Sequence, residues 1–252
     1  MEQRTRVLIL GGTAEAAELA QRLEALSHVD VITSLAGVTS QPKPLPGTLI
    51  RGGFGGVDGL VDYLKAEAIA LLIDATHPFA AQISHAAAAA AERCKIPRLM
   101  VVRPAWKPEA GDRWIEVPTI QAAVEAVSCL GRRVFLTIGR KELSRFADLT
   151  SCWCLMRLLE SPLADRPMPL GTAVYDRPPY TVEGDRQLMV EHRIDTVLTK
   201  NSGGAATVSK LVAARELNLP MVMVQRPSLP DGVQVSDVER AVAWVQRLGE
   251  SA

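Results

Sequence analysis

The sequence predicts an α/β protein with two mainly parallel sheets, each covered by helices on both faces. Three observations carry that prediction. Short apolar, β-branched runs alternate with alanine-rich segments of helical spacing. Several of these runs end directly in glycine or polar clusters, where α/β proteins place their ligands. The alternation also occurs twice, on either side of a stretch rich in proline and tryptophan.

In the first series, strands are expected at 7–10, 31–33, 49–50, 69–73 and 98–102, with helices at 14–25, 57–67 and 78–93. Residues 36–47, with three prolines and two glycines, read as loop. The Ala86–Ala91 run gives the third helix high intrinsic propensity, and Pro78 suits a first helical position. Residues 103–118 hold Pro104, Trp106, Pro108, Gly111, Trp114 and Pro118, so this stretch reads as the linker. The second series has strands at 134–138, 152–158, 196–199 and 221–224. Its helices are expected at 120–129, 142–146, 182–192, 205–217 and 238–248, with proline-rich loop over 161–180. The expected architecture is two Rossmann-like domains, 1–116 and 117–252.

Composition removes several function classes. Lys plus Arg equals Asp plus Glu at 28 each, with 12 basic and 13 acidic residues in 1–116 and 16 and 15 in 117–252. Neither half is a basic module, so a nucleic-acid binder is not expected. Four cysteines are too few for a disulfide scaffold, and Cys152-x-Cys154 lacks metal or redox spacing. His28, His77, His85 and His192 show no zinc pattern. No apolar run reaches membrane-spanning length and the N-terminal run is short for a signal peptide. The expectation is a cytoplasmic protein without a metal, membrane contact or obligate protein partner.

The residues after the strands are the informative ones. Gly11, Gly12 and Thr13 form a strand-to-helix turn that lets backbone approach a phosphate at a helix N-terminus. Thr13 can cap that helix or donate to the phosphate. The second strand lacks the terminal acid that holds ribose hydroxyls in NAD-specific sites, since Asp30 precedes it. That favours NADP, with Ser34 as a donor to the 2′-phosphate and Arg51 within reach. Arg51-Gly52-Gly53-Phe54-Gly55-Gly56 offers flexible backbone beside a flat ligand. Asp74-Ala75-Thr76-His77-Pro78-Phe79 places Thr76 and His77 at a sheet's carboxyl edge. In the second half, Gly139 is followed by Arg140 and Lys141. Arg157 lies in a strand, where an unpaired cation is costly. Lys200, Asn201, Ser202 and Gly203 form a cluster of donors suited to carboxylates or phosphates.

Leu8–Ala16, Arg51–Gly55, Asp74–Ala80 and Thr199–Gly204 together, in order over nearly the whole chain, resemble the precorrin-6A reductase family. The resemblance implies an NADPH-dependent reductase of vitamin B12 biosynthesis that reduces one double bond of precorrin-6A to give precorrin-6B. It also implies two Rossmann-like domains with the ligands in the cleft between them. A precorrin is a large apolar ring edged with acetates and propionates. Arg140, Lys141, Arg157 and Lys200, with Asn201, Ser202 and Gly203, are the candidates to meet this polycarboxylate substrate. The nicotinamide supplies hydride and the protein positions and polarises. A balancing proton can come from His77, Lys200 or water.

Three alternatives have distinct signatures. Another NADP-dependent oxidoreductase is one, but Tyr63, Tyr175 and Tyr180 have no lysine four residues on. A non-enzymatic dinucleotide sensor would carry an added interaction segment. An adenosyl-dependent methyltransferase would have the acid that the second strand lacks.

Overall fold

The computed structural model describes residues 4–36, 44–161 and 166–249. Most of the predicted loop at 36–47, and part of that at 161–180, lie outside the described residues. In chain order the first elements are β1 (Thr5–Leu10), α1 (Ala14–Glu24), β2 (Val29–Leu35), β3 (Thr48–Arg51), α2 (Val57–Ala66), β4 (Leu71–Asp74), α3 (Ala81–Cys94) and β5 (Arg98–Val101). Next come β6 (Arg113–Val117), α4 (Ile120–Leu130), β7 (Arg133–Thr137), β8 (Trp153–Leu158), β9 (Gly171–Tyr175), α5 (Val182–Glu191), β10 (Thr196–Lys200), α6 (Ser209–Glu216) and β11 (Pro220–Val224). The chain closes with β12 (Val233–Val235) and α7 (Val238–Gly249).

The strands form two six-stranded sheets, β3-β2-β1-β4-β5-β12 and β9-β8-β7-β10-β11-β6. Every pairing is parallel. The first order is the doubly wound 3-2-1-4-5-6 pattern, with its switch point beside β1. The second repeats 3-2-1-4-5 over β7 to β11, with its outer strand, β6, supplied from the chain before β7.

In the first unit, the two-residue period of β1 sorts its side chains. Val7 and Ile9 pack with Leu19 and Leu23 of α1 and Val238, Ala241 and Val245 of α7. Leu8 and Leu10 pack on the other face with Leu60 and Leu64 of α2 and Ala87 and Ala90 of α3. All four β1 side chains are buried, as expected for a parallel strand covered on both faces. In the second unit, Phe135, Leu155, Val197 and Met221 pack with Met189 of α5 and Leu211 of α6. Threonine caps set three helix starts: Thr13 for α1, Thr119 for α4 and Thr181 for α5.

The unit boundaries differ from the expected 1–116 and 117–252. The first unit is 1–104 with 227–252, and the second is 105–226. The reason lies in the outer strands. β6, inside the expected linker, pairs with β11 from Arg113↔Pro220 to Val117↔Val224. β12 pairs with β5, and α7 follows it into the first core. Each sheet therefore takes its sixth strand from the chain segment that sequence order would assign to the other.

Two local expectations also shift. Helix α3 begins at Ala81, because residues 78–80 form a turn closed by the Ala80 N–H to His77 O bond at 2.7 Å. β2 extends to Leu35, so Ser34 lies inside the strand.

Candidate functional site

Within the first unit, the loop after β1 is built for close approach. Gly12 has φ +107°, a region glycine occupies without steric cost, and a Cβ there would meet nothing within 4 Å. Gly11 donates its N–H to Ser34 O at 2.9 Å, which ties the loop to β2. The Thr13 hydroxyl accepts from Ala16 N at 3.1 Å and donates to Ala75 O at 2.7 Å. Its proton is engaged by Ala75 O, and its capping role is realised. Glu15, in the first turn of α1, receives both of its bonds from Arg103, at 2.9 and 3.1 Å.

The Arg51–Gly56 segment has the same open character. A Cβ on Gly52, Gly53, Gly55 or Gly56 would meet nothing within 4 Å. Phe54 anchors the segment by packing edge-on against Tyr63, ring centroids 5.2 Å apart. Arg51 is exposed at the end of β3 and its side chain has no hydrogen bond or ion pair among the described residues. Ser34, by contrast, is buried.

At the end of β4, Asp74 is buried and its Oδ1 accepts from Thr76 N at 3.1 Å and Thr76 Oγ1 at 2.7 Å. This Asx-type turn fixes the chain that presents His77. His77 is exposed, and its Nδ1 accepts from Phe79 N at 3.2 Å. That bond assigns the proton of the neutral ring to Nε2. Asp74, Thr76, His77 and Ser84 line a small depression with Val102 and Leu229, at the carboxyl ends of β4 and β5.

In the second unit, Lys200 closes β10 and is mostly buried, with Nζ 3.3 Å from Glu142 Oε1. Burial pulls the Lys200 ammonium below its ordinary value; Glu142 opposes the fall and Lys141 adds to it. Lys141 is exposed. Arg140 donates to Ser161 O at 3.4 Å and lies 3.8 Å from Glu160. Gly139, at φ +81°, turns the chain out of β7 with open space beside it.

Three residues expected to meet substrate have partners within the fold. The Asn201 side chain accepts from Trp106 N at 2.9 Å and donates to Trp106 O at 3.1 Å, which occupies both ends of its amide. Ser202 is buried; its N–H donates to Lys200 O, and its carbonyl accepts from Arg226 Nη2 at 3.1 Å. Arg157 is buried against Asp185 and lies over the rings of Tyr180, at 4.0 Å, and Phe135, at 4.9 Å. Asp185 and the two rings offset part of the cost of a strand cation, while Arg157 Nε and Nη1 are buried without a hydrogen-bond partner among the described residues. Gly203, at φ +68°, and Gly204 complete the turn, with Gly204 O accepting from Trp106 Nε1 at 3.1 Å.

Comparison with known proteins places this arrangement in a family. The model of the family described as precorrin-6x reductase CbiJ/CobK matches residues 6–246. This chain belongs to the precorrin-6x reductase family. A relative named precorrin-6A reductase, from Rhodococcus erythropolis, is 45% identical over 97% of this chain and 98% of its own length. Another of that name, from Rhodobacter capsulatus, is 43% identical over 96% of each. A solved structure titled CobK precorrin-6A reductase superposes with a TM-score of 0.90, at 41% identity and 96% coverage of both chains.

The first unit has features that dinucleotide-binding folds use. It offers open backbone at Gly12, a helix N-terminus behind it, and an exposed cation at Arg51 beyond the neighbouring strands. Sequence reasoning missed Glu142 and Glu160, the carboxylates that face Lys200 and Arg140. Glu142 follows Arg140 and Lys141 directly, a visible signal at a strand end. It also missed Trp106 and Arg226, which fasten the Lys200–Gly204 turn. Their partners lie far away in sequence, so no local signal marks them.

Proposed function

We propose that this chain reduces one double bond of precorrin-6A to give precorrin-6B, with NADPH as reductant, as a cytoplasmic step of vitamin B12 biosynthesis. The observation that carries the reading is the open glycine turn after β1, on a 3-2-1-4-5-6 sheet, in a chain that belongs to the precorrin-6x reductase family. Relatives at 42–45% identity are named precorrin-6A reductase, whereas those named cobalt-precorrin-6A reductase are 28–29% identical. That contrast supports the metal-free macrocycle as substrate.

The bound nicotinamide supplies the hydride. Gly11, Gly12, Thr13 and the start of α1 take the pyrophosphate. Arg51 takes the 2′-phosphate in preference to Ser34, because an exposed cation can reach a solvated anion and a buried strand serine cannot. Gly52, Gly53, Phe54 and Thr76 border the rest of the cofactor. Arg140, Lys141 and Lys200 neutralise ring carboxylates, while Arg157, Asn201, Ser202 and Gly203 hold the backbone that presents them. One proton balances the hydride, and His77 Nε2, Lys200 Nζ and water are its candidate sources.

The test is anaerobic oxidation of NADPH, followed by absorbance, with precorrin-6A and separately with cobalt-precorrin-6A. Turnover should be faster with the first macrocycle and with NADPH rather than NADH. No oxidation with either macrocycle would overturn the assignment, and equal rates with both would overturn the metal-free preference.

A further inference from the structure

Three neighbouring strands of the second sheet, β7, β8 and β9, end in Arg140, Glu160 and Arg177 respectively, within two or three residues of each strand end. β8 is the middle strand, so its carboxylate stands between the two cations. Glu160 Oε2 is 3.8 Å from Arg140 Nη1, and Glu160 Oε1 is 3.7 Å from Arg177 Nη2. Direct guanidinium–carboxylate hydrogen bonds close to about 2.7–2.9 Å. The two oxygens each face a different arginine at ion-pair distance, beyond direct hydrogen-bond length, and Arg140 and Glu160 have further partners besides each other. Asp176, the other acid at this edge, is turned to the Arg177 backbone N–H at 2.7 Å.

The surroundings suit a large ring with an acidic rim. Tyr175 and Leu159 are both about half exposed. Tyr175 is the register partner of Leu158, so Tyr175 and Leu159 both lie at the carboxyl ends of neighbouring strands. Lys200 and Glu142 repeat the pattern one strand further on, a cation at a strand end facing a carboxylate of the chain itself.

We infer that Glu160 occupies the place of a substrate carboxylate, and that Arg140 and Arg177 form a subsite that a ring acetate or propionate takes over from it. The inference rests on the tetrapyrrole reading above and adds Arg177 and Glu160 as residues that set affinity for the macrocycle. Glu160 offsets the two cations while the subsite is empty, and it competes with the incoming carboxylate. Its removal should strengthen binding, the opposite of what loss of an ordinary contact does.

The experiment compares wild type, Glu160→Gln, Arg177→Ala and the double variant. It measures anaerobic kinetics with precorrin-6A and binding of uroporphyrin, a stable ring bearing acetates and propionates, by fluorescence. Arg177→Ala should raise KM and the uroporphyrin Kd about tenfold, in keeping with a lost charge-assisted bond. Glu160→Gln should lower both about threefold, the scale of a half-solvated ion pair. The double variant should lose that gain, and NADPH affinity should stay constant throughout. Unchanged binding in Arg177→Ala, or weaker binding in Glu160→Gln, would overturn the inference. Arg177 is half exposed, so its variant should fold even if Glu160→Gln does not. Wild type that fails to oxidise NADPH with either macrocycle would overturn the functional reading itself, a separate outcome.

Discussion

Replacing Asn201 separates a structural amide from a ligand-binding one. Its Oδ1 and Nδ2 pair with the N–H and C=O of Trp106 at 2.9 and 3.1 Å. Asn201→Ala removes both bonds and leaves two half-buried backbone groups unpaired. Each such bond contributes about 0.5–1.5 kcal/mol net, and orphaned groups add to the loss, so about 2–3 kcal/mol is expected. For a chain of this size that corresponds to a melting temperature about 4–12 °C lower. Asn201→Asp should cost more at neutral pH, because a carboxylate would face the Trp106 carbonyl. The charged form is disfavoured in the folded state, so the folded pKa of that aspartate rises above its unfolded value. Stability is then retained below the unfolded pKa and lost as pH rises through the folded one. Denaturant titrations of both variants between pH 4 and 8 should show the Asp penalty shrinking on acidification. An Asn201→Ala variant that melts like wild type but binds the macrocycle weakly would refute the reasoning and turn the amide toward substrate.

Further outcomes can be checked directly. Gly12→Val should abolish NADPH binding by calorimetry, because its side chain would enter the open space and require φ +107° of a branched residue. Arg51→Ala should weaken NADPH about 10–100-fold and leave NADH unchanged, whereas Ser34→Ala should alter neither; the reverse result would move the 2′-phosphate to Ser34. Burial depresses the Lys200 pKa, so the alkaline loss of kcat should begin below the ordinary lysine range. Lys200→Arg should move that limb upward, and an unmoved limb would assign it to another group. Asp185→Asn leaves Arg157 buried without its counter-charge and should cost about 3–5 kcal/mol in denaturant unfolding.

Much of this was legible in the sequence because central parallel strands are apolar on both faces. Val7–Leu10 and Leu71–Ile73 announce themselves as uninterrupted runs. The three missed strands are outer or next to polar chain. β9 and β12 are largely solvent-exposed along their length, and β6 sits among prolines and tryptophans. Their identity depends on a partner strand, which no local window contains. The site divides on the same line. Gly12, Arg51 and Lys200 are marked by position at or just after a strand end, and that is where they lie in three dimensions. Asn201, Arg157 and Thr13 share the chemistry of ligand-binding residues, but each also has a distant partner, Trp106, Asp185 and Ala75 respectively, that no local window contains.

The exchange of outer strands also dictates a timetable for synthesis. Residues 105–226 contain all six strands of their sheet, so that unit can complete itself while the ribosome is still working. The first-made residues cannot. Val7, Ile9, Leu19 and Leu23 wait for Val238, Ala241 and Val245, and the free side of β5 waits for β12. The nascent first unit thus carries an uncovered apolar face and an unpaired strand edge until residues 233–249 have been made, the interval in which aggregation or chaperone capture competes with closure. Of the two units, the one whose synthesis starts earlier is completed later.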